Sequence, residues 1–212
     1  MVTEERIITL EKNRYDDYLA ILKSDVLPSL RSAGGRVLCI LQGLIGSTSD
    51  SLTQFTIFEN LESWQTAQGA WISEHESSVQ NQSVRLLRTL GSRPTLKTTI
   101  PPEARRRIYQ YERSIISSSD LSEFVLCNEE GVWPEMEQNG ASILGMWTLS
   151  STGSPLEIIT LTGFESVSHW DKLYFKDIAQ HDSNIWNREL QLINRLKVIT
   201  KTSRLELMIS AE

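Results

Sequence analysis

The sequence predicts an α+β fold built from two tandem ferredoxin-like repeats, each with the order β-α-β-β-α-β. One observation is a stretch that is used twice: Phe58 to Trp64 (FENLESW) returns 106 positions later as Phe164 to Trp170 (FESVSHW). A second is that strand-like and helix-like apolar patterns follow one another in the same order in both halves of the 212 residues. One such sheet leaves a face bare, so we expect the two antiparallel sheets to close into an α/β barrel within the chain.

The first repeat opens with a strand over Arg6 to Glu11, which is rich in Ile and Thr. Five residues then keep helical spacing: Tyr15, Tyr18, Leu19, Leu22 and Val26. Pro28 is expected to end or kink this helix. The apolar run Val37 to Leu44 is typical of a central strand covered on both sides.

The third strand of this repeat is predicted over Leu52 to Glu59, where alternate residues point to opposite faces. Asn60 is a suitable N-cap for the helix that follows. The stripe of that helix is Leu61, Trp64, Gln68, Trp71 and His75. Ser83 to Leu90 fits either a helical turn or a strand, and Thr95 to Ile100 is strand-like.

From Arg107 the same order starts again. The predicted elements are a strand over Ile108 to Arg113, a helix over Leu121 to Glu130, and strands over Ile143 to Leu149 and Leu156 to Phe164. A second helical stripe consists of Val167, Trp170, Tyr174, Ile178, His181 and Ile185. Lys197 to Thr202 and Leu205 to Ile209 are candidates for closing strands.

The offset of 106 holds from the pair Tyr18 and Phe124 through the pair His75 and His181, which indicates an internal duplication, and the register slips beyond them. Arg6 and Arg107 suggest a smaller offset of 101 at the first strand. We divide the chain into a first repeat (1–93), a linker (94–106) that contains most of a short arginine run, and a second repeat (107–212). We interpret the run, Arg105 to Arg107, as solvated.

Composition excludes several classes of protein. A net charge of −6 argues against a nucleic-acid groove. The longest apolar run is too short to span a bilayer, and the start lacks the apolar core of a signal peptide, so we expect a soluble, cytoplasmic protein without membrane partners. Cys39 and Cys127 are expected to be buried thiols, because neither belongs to a Cys-x-x-Cys pair. No metal-site, phosphate-loop or dinucleotide-binding motif is present in the sequence.

The second repeat resembles the NIPSNAP family of the dimeric α/β-barrel superfamily. The resemblance rests on Tyr109 to Arg113, Ile143 to Trp147, the turn at Gly153, Leu156 to Gly163, and Phe164 to Ser166 with Trp170. It implies a shared barrel, often formed by a homodimer, with ligands inside or at the rim. Superfamily members include cofactor-free monooxygenases, isomerases, haem enzymes and proteins with no known activity. The family has no universal catalytic signature, so the resemblance assigns no catalytic residue.

Three residues are candidates for catalysis: His75, His181 and Tyr109. The two histidines are equivalent in the repeats, and either could serve as a general base or haem ligand. Each lies on the apolar stripe of its helix, which favours a structural role at the helix–sheet boundary. Glu59 and Glu165 are also equivalent, and their place before a helix favours a dipole interaction over acid–base chemistry.

The predicted ligand-binding side chains are polar or aromatic and are assigned to the inner face of the barrel. They are Gln54, Thr56, Tyr111, Trp147, Thr160 and Thr162, with Tyr109 beside them. A mostly apolar pocket with a few hydroxyl and amide groups suits a small hydrophobic organic ligand. A solidly packed barrel with a few satisfied polar groups is the alternative.

The leading functional hypothesis is a cofactor-independent enzyme of metabolism, such as natural-product biosynthesis. It would catalyse isomerisation, cyclisation or oxygenation of a hydrophobic metabolite. One alternative is a non-catalytic protein-interaction module of the NIPSNAP type. The other is a barrel that binds haem through His75 or His181.

Overall fold

The computed structural model describes residues 1–71, 78–97, 105–151, 153–174 and 186–211. Its strands are β1 (Val2–Leu10), β2 (Arg36–Ile45), β3 (Ser51–Phe58), β4 (Val79–Thr89), β5 (Ile108–Ile116), β6 (Ser142–Leu149), β7 (Leu156–Phe164) and β8 (Thr200–Ser210). Its α-helices are α1 (Tyr15–Ile21), α2 (Leu27–Ser32), α3 (Leu61–Ala67), α4 (Leu121–Cys127), α5 (Trp133–Gln138), α6 (Val167–Tyr174) and α7 (Trp186–Ile199).

The strands form one closed antiparallel barrel in the order β1-β3-β2-β8-β5-β7-β6-β4. Each repeat contributes a sheet in which its fourth, first, third and second strands are neighbours, the ferredoxin-like arrangement. The two sheets meet where β2 pairs with β8 and where β4 pairs with β6. The predicted fold of two ferredoxin-like repeats closing one barrel is therefore confirmed.

The duplication extends further towards the amino end than predicted. Val2 pairs with Phe58, and Ile108, which lies 106 positions after Val2, pairs with Phe164. The predicted offset of 101 at the first strand is therefore wrong, since it matched two arginines that occupy different positions in their strands. One offset relates all elements from the first strand of each repeat to the helix after its third strand.

The repeats differ near their carboxy ends. β4 and β8 start 121 positions apart, so the second repeat holds 15 more residues before its last strand, and α7 lies within them. The prediction of a strand beginning at Lys197 is wrong, because α7 continues to Ile199. Ser83 to Leu90 belongs mostly to strand β4. Thr95 to Lys97, predicted to be strand-like, lie in a turn and adjoining loop.

The helix that was predicted to end or kink at Pro28 continues past this proline. A π-helical segment, Leu22–Val26, joins α1 to α2, and Leu27 N–H bonds to Leu22 O five residues back. Pro28 follows in the first turn of α2. The wider turn relaxes the clash between a proline ring and the preceding turn of helix. In the second repeat, a π-helical segment also precedes Pro134.

The helices cover the outside of the barrel, which separates the interior core from the helix–sheet layers. Leu52 and Phe58 pack with Leu22 and Leu30 in the first layer. Asn60 caps α3 as predicted, because its Oδ1 accepts from Ser63 N at 2.9 Å. Within the described ranges, no helix combines the length and apolar character needed to cross a bilayer.

Candidate ligand site

Four predicted ligand residues face the helices and not the barrel interior. Gln54 and Thr56 lie on the same face of β3 as Leu52 and Phe58. Both of these apolar residues pack in the first helix–sheet layer. The predicted barrel-facing orientation is therefore wrong. Phe55 and Ile57 face the interior instead, where they pack in one buried cluster with Tyr111 and Trp147.

The second repeat shows the same reversal. Thr160 and Thr162 lie on the same face of β7 as Ile158 and Phe164. Ile158 packs against Phe124 of α4, and Phe164 packs near Trp170 of α6. The two threonines therefore also lie on the helix side. Their role in binding a ligand stays a prediction.

The interior holds the three aromatic residues that were assigned to it. Tyr109, Tyr111 and Trp147 belong to one buried cluster with Phe55. The rings of Phe55 and Trp147 stack with centroids 5.2 Å apart, and Trp147 Nε1 donates to Thr3 Oγ1 at 3.1 Å. These side chains pack the centre of the barrel with rings. Their part in ligand binding remains a prediction.

Of the three candidate catalytic residues, the structure describes Tyr109 alone. His75 and His181 lie outside the described residues, so the haem hypothesis that depends on them stays a prediction. Tyr109 is buried, which raises the pKa of its phenol, and its hydroxyl accepts from Arg106 N at 3.0 Å. Arg106 is half-buried and its side chain lies against Gly163, so the interpretation of the arginine run as fully solvated is wrong at this residue.

A buried polar group that sequence reasoning missed lies between β1, β3 and the first turns after Asn60. We call it the Arg6 cluster: Glu4, Arg6, Gln54, Thr56, Trp64, Gln68 and Trp71. In the strand register Glu4 lies opposite Thr56, and Arg6 lies opposite Gln54. Glu4 and Arg6 escaped notice because the first strand was predicted to begin only at Arg6.

Glu4 and Arg6 form an ion pair that is almost completely buried, with side-chain exposures of 1% and 2%. Arg6 Nε lies 2.8 Å from Glu4 Oε1, and Arg6 Nη2 donates to Gln68 Oε1 at 2.8 Å. Glu4 Oε2 also accepts from Trp64 Nε1 at 2.6 Å. These bonds offset part of the large desolvation penalty of a buried ion pair and hold the guanidinium in one orientation.

Two polar atoms in this cluster lack a partner. Gln54 Nε2 donates to Thr56 Oγ1 at 2.8 Å, but Gln54 Oε1 has no hydrogen bond among the described residues, and neither does Trp71 Nε1. The Trp71 ring lies under Arg6, with the guanidinium carbon 4.0 Å from the ring centroid. Buried polar atoms nearly always form a hydrogen bond, so these two atoms distinguish the cluster from an ordinary packed layer.

The equivalent layer of the second repeat has different chemistry. Trp170, the counterpart of Trp64, donates from Nε1 to Gln110 Oε1 at 2.7 Å. Gln110 in turn donates to Glu112 Oε2 at 3.0 Å. Glu112 stands where the first repeat has Arg6, so a carboxylate replaces the buried cation at this position. The two layers therefore share a tryptophan contact but differ in charge at the matching position.

A second polar group lies inside the barrel towards one mouth. We call it the Arg85 network: Glu5, Arg85, Tyr111 and Glu157. Arg85 Nη1 lies 2.6 Å from Glu157 Oε1, and its Nε pairs with Glu5. Burial by itself lowers the pKa of Arg85, but the Glu5 and Glu157 carboxylates outweigh that effect and raise it. Burial, followed by the charge of Glu5, raises the pKa of Tyr111, so its phenol stays protonated.

This network is accessible from a cavity of about 300 Å³ at the mouth, whose lining includes Arg113, Glu157 and Arg204. Arg113 and Arg204 both approach the Glu206 carboxylate, at 3.5 and 3.0 Å. Positive and negative groups are therefore balanced at this end of the barrel.

No protein-family model and no curated protein matches the sequence. Solved structures do match. A monooxygenase-like protein from Lactobacillus acidophilus NCFM has a TM-score of 0.66 at 10% identity, covering 99% of this chain and 93% of its own. An anthrone oxidase-like protein has a TM-score of 0.61 at 10% identity, covering 100% of this chain and 91% of its own.

NIPSNAP proteins are also among the matches. One from Agrobacterium tumefaciens strain C58 covers 50% of this chain and 86% of its own, at 17% identity and a TM-score of 0.39. The two whole-chain matches, together with the closed ring of strands, establish the fold. The chain has the fold of the ferredoxin-like dimeric α/β-barrel proteins, with both halves of the barrel supplied by one polypeptide.

Proposed function

We propose that the protein binds a small organic molecule at the Arg6 cluster and acts on it as a cofactor-independent enzyme. One observation carries the proposal: Gln54 Oε1 and Trp71 Nε1 are buried beside the Arg6 guanidinium and have no hydrogen-bond partner within the described ranges. Leaving such a group without a hydrogen bond destabilises a protein by about 1–3 kcal/mol. A ligand that forms hydrogen bonds with both atoms therefore explains their presence better than an empty site does.

The free atoms define the ligand by its chemistry. Trp71 Nε1 is a donor and suits a carbonyl or enolate oxygen, whereas Gln54 Oε1 is an acceptor and suits a hydroxyl. The guanidinium of Arg6, opposite Gln54 and over the Trp71 ring, is already paired with Glu4, so an oxygen with partial rather than full negative charge suits this position. A hydrophobic hydroxyketone or phenol combines these features.

The same groups favour a reaction that passes through an enolate or phenolate, with the released proton passing to a water molecule or hydroxide ion of the solvent. Donors aimed at an oxygen lower the energy of its anionic form, the shared intermediate of carbonyl isomerisation, cyclisation and oxygenation. Two structural neighbours bear the names monooxygenase-like and anthrone oxidase-like. Oxygenation of a conjugated hydroxyketone is therefore the first activity to test.

The test uses anthrone and related hydroxyketones with the purified chain. Binding is followed by calorimetry, and turnover by oxygen uptake and product absorbance. Trp71→Phe and Gln54→Leu each remove one free polar group and should weaken binding by about 5-fold to 100-fold. Trp170→Phe, in the second helix–sheet layer, is the matched control and should bind normally. Absence of binding across the panel, or binding unchanged in both variants, would refute the proposal.

A further inference from the structure

One cavity lies away from the Arg6 cluster and carries an excess of positive charge. It has a volume of about 660 Å³. The lining residues that matter are Arg31, Arg36, Ile57, Glu59, Leu96 and Lys97. They come from the last turn of α2, the start of β2, the end of β3 and the loop after β4.

Three cations face this cavity against the single carboxylate of Glu59. In the part of the chain that the structure describes, none of the three forms an ion pair. Arg36 Nη1 donates to the backbone carbonyl of Leu96, which ties the loop after β4 to the start of β2. This excess of positive charge occurs in a chain whose net charge is −6.

Two other cavities among the described residues do not share this character. The one whose lining includes Glu11, Asp16 and Asp50 has more carboxylates than cations. At the charged barrel mouth, Arg113 and Arg204 are compensated by Glu206. Ordinary surface cations are spread so that each is solvated separately, whereas these three line one cavity. Their mutual repulsion is relieved when an anion lies between them.

We propose that this cavity binds the oxyanion group of a small organic anion, either a phosphate or a carboxylate. Arg31, Arg36 and Lys97 would contact the oxyanion through charge-assisted hydrogen bonds. Ile57 belongs to the core inside the barrel and Leu96 lies in the loop, so together they offer an apolar wall for the rest of the ligand. This inference stands independently of the Arg6 cluster, because it uses none of the same side chains.

The test is calorimetric titration of the full chain with sodium phosphate and with sodium acetate at constant ionic strength, with sodium chloride as the non-specific reference. Saturable one-to-one binding of either oxyanion supports the proposal, and the tighter one identifies the chemical class. Arg31→Gln and Lys97→Gln should each weaken binding by about 5-fold or more. Both side chains are exposed, so folding should be retained, as circular dichroism can verify.

Arg14→Gln is the matched control. Arg14 is an exposed arginine outside the cavity that pairs with Asp17 at 3.2 Å. It should bind the oxyanion as the unsubstituted protein does. The proposal is overturned if neither oxyanion binds more tightly than chloride, or if Arg14→Gln weakens binding as much as Lys97→Gln does.

Discussion

Tyr111 donates a hydrogen bond to Glu5 across the barrel at 2.6 Å, and the two residues occupy the same position in the two repeats. Two glutamates at these positions would repel each other, and two tyrosines would compete for the same volume. The present pair is instead one donor and one acceptor. Arg85 of the first repeat and Glu157 of the second extend the contact, so the Arg85 network joins the two sheets.

The first prediction concerns that hydrogen bond. Tyr111→Phe removes the donor to Glu5 and an acceptor for Arg85 while keeping the ring. It should lower the free energy of unfolding by about 1–3 kcal/mol, measured by urea denaturation. Tyr109→Phe is the control, because its hydroxyl accepts a single bond from the Arg106 backbone. An equal or larger loss in the control would contradict the role given to the Glu5 contact.

The second prediction concerns alkaline stability. Burial raises the pKa of Tyr18 from 10.0 to about 12, although the nearby charge of Arg6 opposes the shift. Because the folded state favours the protonated phenol, this stabilisation is complete below pH 10 and is lost as the pH rises from about 10 to about 12. Tyr18→Phe should show a shallower decline in Tm across this window. Parallel declines in the two proteins would show that Tyr18 does not contribute.

The third prediction uses the equivalent tryptophans of the two helix–sheet layers. Trp64 donates to a buried carboxylate, Glu4, whereas Trp170 donates to an amide, Gln110. Hydrogen bonds to charged groups contribute about 1.5–3 kcal/mol and neutral ones about 0.5–1.5 kcal/mol. Trp64→Phe should therefore destabilise the protein more than Trp170→Phe in the same urea experiment. The reverse order would refute the greater strength assigned to the Glu4 contact.

The fourth prediction concerns Gly145 in β6. A Cβ at this position would lie 2.5 Å from Pro94 Cδ and 2.8 Å from the Trp147 ring. Gly145→Ala should therefore destabilise the protein by about 1–3 kcal/mol, measured as a fall in the midpoint of chemical denaturation. Gly69→Ala is the control, because a Cβ there meets nothing within 4 Å. A midpoint unchanged in Gly145→Ala would show that Pro94 moves aside without penalty.

Much of the architecture follows from local patterns. The repeat from Phe58 to Trp64 marks the change from strand to helix in each half, and alternation in β3 separates Gln54 from Phe55. Alternation does not say which of the two faces lies inside a barrel. The pattern therefore placed Gln54 and Thr56 correctly on one face of β3, but that face was assigned to the wrong side of the sheet.

The candidate site was harder to predict for the same reason. Glu4 and Arg6 are close in sequence, but Trp64 and Gln68 reach them from a helix about 60 residues away. A charged pair in a strand is usually solvated, and only the covering helix makes this one buried. The polar residues inside β1 were a signal of this cluster. The same local pattern also fits the exposed end of a strand, so it could not identify the cluster by itself.

By itself, the sequence determined the duplication, the order of elements in each repeat and the closure of two sheets into one barrel. These depend on short-range periodicity and on the need to cover a bare apolar face. Only the tertiary structure decided that Gln54 and Thr56 face the helices and that Glu5 meets Tyr111. It also buried the Glu4–Arg6 pair beneath the helix layer. Such contacts join residues far apart in the chain, and their energies depend on burial that no local pattern records.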